Sequence, residues 1–293
     1  MARPDAVLIA GPTASGKSAL SLDLAARYDG EIVNTDSMQI YPVLKVLTAR
    51  PDDADLALAP HHLYGTAPLH EPYSAGKWME DARHTAMDIW ARGKVPIFVG
   101  GTGLYFKALE GGLAHIHEIP EEIREQVRGD LETLGSRVLH EQLSQIDPVM
   151  AERLRPSDSH RVSRALEVVR ATGRSLSEYQ DDTGSASLLA GKTVERLVLL
   201  PERSILHERI NRRSELMIEN GAIDEVRQLM ALELPADATV LKAIGVAQLR
   251  SFIDGEQSLN DSVFQLKSKT RQYAKRQYTW FRGQFSENWT IIQ

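Results

Sequence analysis

The chain contains no cysteine among its 293 residues, so disulfides and thiolate-bound metals are excluded as stabilising devices. No apolar run approaches the roughly eighteen residues that crossing a bilayer requires. The opening "MARPDAVLIAGP" reaches an apolar strand without the h-region of a cleavable signal. A cytoplasmic protein without a membrane partner is expected, and a monomer. The histidines show no metal-site spacing: His61 and His62 are adjacent and cannot share a helix face. There is no repeat period and no low-complexity segment. The length suits one core with a sizeable insertion, or two domains.

Acidic and basic residues are both present, and the formal net charge is −6. Averaged over the chain, that sign disfavours nucleic acid. Binding is local, however, and the charge is uneven. From Ser262 to Ser286 there is no acid, while Lys267, Lys269, Arg271, Lys275, Arg276 and Arg282 all fall in that stretch.

Several segments have readable periods. "AVLIAG" reads as a buried strand and "SALSLDLAARY" as the helix after it; Glu31 to Asn34 form a second strand ending at Thr35-Asp36. The polar, proline-rich stretch from Pro51 to Ser74 reads as a connection. Trp78, Met79, Ala82, Ala86, Ile89 and Trp90 recur at helical spacing, and "VPIFVGG" follows as a third buried strand. Strands that are apolar without alternation, separated by helices, predict an α/β fold: a parallel sheet covered on both faces, of the P-loop NTPase-like kind. From Pro120 to about Tyr179 the period is helical, with breaks at Gly135, Asp147-Pro148, Pro156 and Gly173. The predicted organisation is therefore a P-loop core over 1–116, a helical insertion over 117–190 beginning near His117, and a second core part over 191–293. "TVERLVLLP" returns the chain to the sheet, two helices follow, and "WTIIQ" can form a last strand.

The sharpest motif is "GPTASGKS": Gly11, Pro12, Thr13, Ala14, Ser15, Gly16, Lys17 and Ser18 match G-x-x-x-x-G-K-[ST] between a predicted strand and a predicted helix. Glycines let the backbone wrap an anion, successive amides point inward, and the helix N-terminus adds positive potential. Lys17 would reach terminal phosphate oxygens, and Ser18 would hold Mg2+. Hydrolysis does not follow. A hydrolysing P-loop ATPase places an acid on a strand to help hold the metal, whereas the third strand ends in Gly100-Gly101-Thr102. The acid at a strand tip is Asp36. It reads either as a helix cap or turn former, or as a group facing an acceptor in the crevice at the carboxyl ends of parallel strands. Thr102 likewise reads as an N-cap or as a hydroxyl aimed at the site.

Together "GPTASGKS", "DSMQIY", "GGTGLY", "HRVSRALEV", "RINRRSELM" and "TRQYAKRQYTWFR" lie in the order found in the bacterial tRNA dimethylallyltransferase (tRNA isopentenyltransferase) family, and the chain resembles that family over nearly its whole length. The resemblance implies a donor, dimethylallyl diphosphate, held with Mg2+ by the P-loop. It implies an acceptor, N6 of the adenosine on the 3′ side of the anticodon, presented by the tRNA anticodon stem-loop. Asp36 would be the base, with Thr102 beside the reacting centre and Lys17 on the diphosphate. Arg213, with Arg209 as its rival, would reach the diphosphate from the second half of the chain. Contacts to tRNA would come from Asp36, Ser37, Met38, Gln39, Thr102, Arg124, His160, Arg161, Val162, Ser163, Arg164, Lys242, Arg271, Lys275 and Arg276. Tyr273, Trp280 and Phe281 could stack on bases, although burial is the better reading of the last two. The sequence departs from the family pattern at Leu47, where glycine is usual, at His160, and at Lys242 and Val246.

Three alternatives compete: a small-molecule kinase using ATP, a prenyltransferase acting on a free adenine nucleotide, and a non-catalytic RNA-binding protein with a nucleotide site.

Overall fold

The computed structural model describes residues 3–71, 73–114, 116, 119–181, 187–285 and 287–293. It divides into two compact units, Met1–Glu110 with Leu188–Gln293, and Gly111–Ser187. The expected start of the insertion at His117 and the expected boundary stretch around residues 182–186 lie outside the described residues.

The first unit is built on a six-stranded, all-parallel sheet. Its strands are β1 (Ala6–Ala10), β2 (Gly30–Asn34), β3 (His61–His62), β4 (Val95–Gly100), β5 (Val194–Leu199) and β6 (Thr290–Ile292), in the spatial order β3-β2-β4-β1-β5-β6. Every residue of β1, β2 and β4 is buried, which is why these strands show no polar alternation. Helix α1 (Lys17–Tyr28) lays Leu24, Ala25 and Tyr28 on the sheet core of Val7, Ile9, Ile32, Ile97 and Val99.

The stretch from Pro51 to Ser74 is more than the connection expected from its composition. It holds α2 (Asp53–Leu58), capped by Asp52, whose side chain accepts from the Asp55 amide, and then the edge strand β3. No α2 residue is buried, so helical period was masked by polarity, and two residues are too few to show a strand pattern. Helix α3 (Ala75–Ala91) begins at Ser74, whose hydroxyl accepts from the Lys77 amide, and buries Trp78, Ala82, Ala86 and Ile89. Trp78 stacks on Tyr105 at 4.0 Å, and its indole N–H donates to the Asn34 carbonyl at 3.0 Å. Helix α4 (Gly103–Leu109) leaves β4 after the Gly-Gly-Thr turn.

The second unit contains α5 (Glu121–Ile146), α6 (Pro148–Arg153), α7 (Ser159–Thr172) and α8 (Leu176–Asp181) around Val127, Leu139, Leu143, Val162 and Leu166. Gly135 interrupts α5 at φ 80°, Asp147 caps α6, and left-handed Gly173 ends α7.

After β5 the first unit continues with α9 (Arg203–Glu219), α10 (Ala222–Met230), a 3₁₀ turn (Thr239–Lys242), α11 (Val246–Ile253) and α12 (Leu259–Gln284). Glu225 of α10 accepts from the Val46 and Leu47 amides at 2.6 and 2.9 Å. The Leu47 side chain is buried, and a Cβ on Gly245 would meet its Cδ1 at 2.6 Å. The leucine that departs from the family pattern thus fills the space over a glycine. Among the described residues, no helix is long and apolar enough to cross a membrane.

At the opposite end of β2 from the strand tip, the buried Glu31 carboxylate accepts from Arg92 at 2.8 Å and pairs with His62 at 2.7 Å. Burial alone would raise its pKa, but these two partners outweigh burial and hold it below its ordinary value of 4.5. A depressed carboxyl contributes stability that is complete above pH 4.5 and is lost as pH falls through the lower, folded-state value. Glu31→Gln is therefore expected to cost about 1–3 kcal/mol at pH 7. In urea titrations the gap between parent and variant should narrow below pH 4.5; a gap that stays constant down to pH 3 would exclude this linkage.

Candidate active site

Parallel pairing brings the carboxyl ends of β1, β2 and β4 to one edge, and each strand feeds a loop that carries polar side chains there. After β1, Gly11 turns the chain at φ 154°, where a Cβ would lie 2.7 Å from the Leu199 carbonyl. Ala14 and Gly16 also take positive φ, at 65° and 99°. The loop from Gly11 to Ser18 thereby wraps onto the first turn of α1, with Pro12 and Ser15 buried and Ser18 exposed. Lys17 Nζ donates to the Pro12 carbonyl at 2.7 Å and lies 3.5 Å from the Ser15 hydroxyl. The protein packed around this ammonium lowers its pKa to about 7; Asp36 opposes the shift and Arg213 adds to it.

After β2, Asp36 is held by an Asx-type turn. Its Oδ1 accepts from the Met38 amide at 2.9 Å and the Gln39 amide at 3.4 Å. The turn-forming and the site-facing readings of this residue are compatible, because each uses a different oxygen. Oδ2 has no hydrogen bond from the described residues and lies about 3.5 Å from where a Cβ on Gly101 would stand. Asn34 braces the turn: its amide donates to the Asp36 and Leu63 carbonyls, and its oxygen accepts from the Asp36 N–H.

After β4, Gly100 approaches β2 so closely that a Cβ would lie 2.1 Å from the Thr35 carbonyl oxygen. Thr102 then reaches across. Its hydroxyl accepts from the Ser37 amide at 3.0 Å and donates to the Ser37 hydroxyl at 3.3 Å. It makes no side-chain cap for α4, so the N-cap reading of Thr102 is not what its hydroxyl does.

Two arginines of α9 converge on the P-loop. Arg213 Nη2 donates to the Thr13 hydroxyl, and Arg209 Nη1 donates to the Ser15 carbonyl at 3.3 Å. Burial lowers the pKa of Arg213, with Asp36 opposing. Arg212 is exposed. Asp36 is also close enough to three tyrosines to help raise their pKa values: burial is the main cause for Tyr64, Tyr105 and Tyr273, and Asp36 contributes to each.

Not every expected contact is available. The Gln39 side-chain nitrogen donates to the Thr48 and Ala49 carbonyls, both at 2.9 Å, so its N–H groups hold that loop. Val162 is fully buried in the core of the second unit, and its side chain cannot meet RNA. In the same unit the Ser163 hydroxyl is buried, while His160 and Arg161 are exposed; Arg161 pairs with Asp158, Arg164 with Glu167, and Arg124 with Glu121. In the first unit Lys242, Lys275 and Arg276 are exposed, and Arg271 donates to the Asn211 side chain at 2.7 Å. The Lys267 ammonium is taken up by Glu215 at 2.6 Å. Phe281 is buried, whereas Trp280 is half-buried, with its ring over Gly103.

One residue was missed. Gln277 is buried on α12; its oxygen accepts from the Thr13 amide at 2.9 Å, and its nitrogen donates to the Gly101 carbonyl at 2.8 Å. The signal was a carboxamide in line with Leu266, Ala274 and Phe281 on the buried face of α12, a face that also carries the hydroxyls of Ser262 and Thr270.

Among the described residues there is no cluster of three His, Cys, Asp or Glu able to hold a metal. Magnesium on a phosphate takes one or two protein oxygens with phosphate oxygens and water. The exposed Ser18 hydroxyl at the start of α1 offers one such oxygen.

Arg213→Ala is expected to weaken binding of inorganic diphosphate by about ten- to a hundredfold, since a charge-assisted hydrogen bond contributes about 1.5–3 kcal/mol. Arg209→Ala should weaken it less, and Arg212→Ala should leave it unchanged. Isothermal titration of the three variants ranks them; equal affinities for all three would remove α9 from the anion site.

A family model described as IPP transferase matches residues 39–284, and one described as isopentenyl transferase matches residues 4–64. A protein of Rhizobium leguminosarum bv. trifolii named tRNA dimethylallyltransferase is 50% identical over 285 residues, 97% of this chain and 96% of that protein. Another of that name, from Agrobacterium fabrum, is 48% identical over 99% of this chain and 97% of its own length. Among solved structures, the full-length tRNA isopentenylpyrophosphate transferase of Bacillus halodurans is 34% identical with a TM-score of 0.68, covering 99% of this chain and 89% of that one. A eukaryotic dimethylallyltransferase acting on tRNA is 29% identical with a TM-score of 0.81, covering 94% of this chain and 69% of that one. With a P-loop, a strand-tip aspartate and a Gly-Gly-Thr turn gathered at one edge, the chain belongs to the IPP transferase family, alongside the bacterial tRNA dimethylallyltransferases.

Proposed function

We propose that the protein transfers a dimethylallyl group from dimethylallyl diphosphate to N6 of the adenosine 3′-adjacent to the anticodon in tRNA, releasing diphosphate, and that it acts in the cytoplasm, where its RNA substrate is found, as a monomer. The observation that carries this reading is one sheet edge that gathers Asp36 Oδ2, about 3.5 Å from where a Cβ on Gly101 would stand, Lys17 of the P-loop and Arg213 of α9 on the Thr13 hydroxyl.

The chemistry divides between these groups. As the C1–O bond of the donor breaks, its electron pair passes to the departing diphosphate. P-loop amides, Lys17 and Arg213 stabilise that charge. The Ser18 hydroxyl would hold Mg2+, which would supply further charge neutralisation at the leaving group. The adenine N6 forms the new bond to C1. Its lone pair is delocalised into the ring, so a base must take its proton as the bond forms, and Asp36 Oδ2 accepts it. Thr102 keeps the 36–37 turn in place through Ser37. No water-positioning group is needed, because no phosphorus–oxygen bond is cut.

An adenine stacked in the anticodon loop cannot reach this edge, so it would be flipped out at a cost of a few kcal/mol, offset by contacts elsewhere. Support for such contacts comes from an open groove of about 550 Å³ on α12 lined by Gln272, Lys275, Arg276, Thr279 and Trp280. It combines two cations for phosphates with an aromatic face for a base. His160, Arg161, Arg164, Arg124 and Lys242 would add further contacts.

Incubation with labelled dimethylallyl diphosphate and unmodified tRNA, followed by mapping of the labelled nucleoside, tests the assignment; labelled phosphate transferred from ATP instead would favour the kinase reading. Asp36→Ala should lower turnover by about 10²- to 10⁴-fold while leaving donor affinity within a few-fold. Equal turnover by parent and variant would take Asp36 out of the mechanism. Binding of tRNA should weaken steeply with salt, since each neutralised phosphate contributes a slope of about −0.7 to −0.9 in log K against log salt. Lys275→Ala should reduce that slope by about one such step; an unchanged slope would remove α12 from the RNA interface.

A further inference from the structure

Gln277 bonds with one side chain the loops that follow the paired strands β1 and β4. Thr13 lies 264 residues before it and Gly101 176 residues before it, yet one buried carboxamide bonds both backbones. The orientation of the amide is determined by its partners: a donor N–H faces the oxygen, and an acceptor carbonyl faces the nitrogen. The contact is tight, because a Cβ on Gly101 would lie 2.2 Å from Gln277 Nε2. The same face of α12 carries Tyr273 one turn earlier, close enough to feel Asp36, and Trp280 one turn later, against Gly103.

The Thr13 amide is a P-loop donor, and it is satisfied by protein, the Gln277 oxygen at 2.9 Å. Gln277 therefore does not contribute to anion binding; it occupies a donor that could have served it. What the bond does provide is a fixed spacing. Thr13 belongs to the loop that would hold the leaving diphosphate, and Gly101 belongs to the turn that stands between Asp36 Oδ2 and Thr102. Displacement at carbon needs the nucleophile and the leaving group at a set separation on opposite sides of C1, and a misplacement of about 1 Å can cost about 10²-fold in rate.

We propose that Gln277 is a positioning residue of the transfer reaction, setting the distance between the diphosphate loop and the acceptor side of the site by tying the Thr13 amide to the Gly101 carbonyl. This rests on the prenyl-transfer reading above. It also gives α12 a second role: the helix that presents Lys275 and Arg276 outward holds the two reacting halves together on its inner face.

Two variants test the idea independently. Gln277→Leu keeps the side-chain bulk and removes both hydrogen bonds. Gly101→Ala places a methyl where Nε2 stands and displaces the flexible end of the glutamine, while meeting Asp36 Oδ2 only at an ordinary contact distance of 3.5 Å. With saturating tRNA and donor, each is expected to lower kcat by about 30-fold or more, with KM for the donor and Kd for inorganic diphosphate within about threefold of the parent. The double variant should be no worse than about threefold below the poorer single one, because both act through one contact. Circular dichroism and thermal melting establish that each variant is folded. A folded Gln277→Leu with the parent kcat overturns the proposal, as does a loss of kcat matched by an equal loss of diphosphate binding, which would make the residue a support of the P-loop alone. If Gln277→Leu does not fold, Gly101→Ala decides: parental kcat there overturns the proposal too. A parent that prenylates no tRNA overturns the prenyl-transfer reading, whereas an active parent with equally active variants overturns this inference only.

Discussion

Parallel pairing of β4 with both β1 and β2 is the constraint on which the rest of the site depends. In a parallel sheet all strands end at the same edge, so the loops after β1, β2 and β4 are neighbours whatever their sequences. Pairing alone does not bring them into contact, however. The approach of Gly100 to the Thr35 carbonyl removes the space a side chain would need and lets the β4 turn close on the β2 turn. Thr102 can then bond Ser37, and Gln277 can span from Gly101 to Thr13. A side chain at position 100 would separate these loops and undo each of those bonds.

The electrostatics of this edge are unequal. Lys17 and Arg213 both have lowered pKa values, and for both the largest cause is burial; attraction to Asp36 offsets burial without cancelling it. Two partly buried cations, Lys17 at the start of α1 and Arg213 of α9 against Thr13 of the P-loop, form a site whose natural complement is a polyanion. A diphosphate meets that demand better than a carboxylate side chain could. Asp36 in turn commits one oxygen to the amides of its own turn and keeps the other unbonded among the described residues, which suits a group that must accept a proton and later release it.

Helix α12 links the two kinds of recognition. Its inner face carries Thr270, Ala274, Gln277 and Phe281, all buried, its outer face carries Lys275 and Arg276, and the half-buried Trp280 lies at the border, over Gly103 and at the groove. The sheet edge and the groove lined by Lys275, Arg276 and Trp280 thus border the same helix rather than separate modules. Lys267, which by charge alone belonged to the basic surface, is instead paired with Glu215 on α9 and helps hold the two helices together.

Much of this was legible in the sequence, for definable reasons. The P-loop, the buried strands and the helical stripe of α3 are local patterns: spacing and period express them within a few residues. Asp36 and Thr102 could be placed at strand tips because β2 and β4 read as strands. The short α2 and the two-residue β3 carried too little period to be seen, since α2 buries no residue and β3 is too short to alternate, whereas α10 does carry a helical stripe, Ala222, Val226 and Leu229, in a stretch where no element was expected. What no local pattern could express is how polar groups distant in the chain divide their hydrogen bonds. Gln39 turned inward to Thr48 and Ala49, Arg213 joined Arg209 at the P-loop, and Gln277 found Thr13 and Gly101. Sequence dictates which donors and acceptors exist and which elements carry them; their partners are chosen only when the packed chain excludes water and each buried polar group must be satisfied by whatever lies beside it.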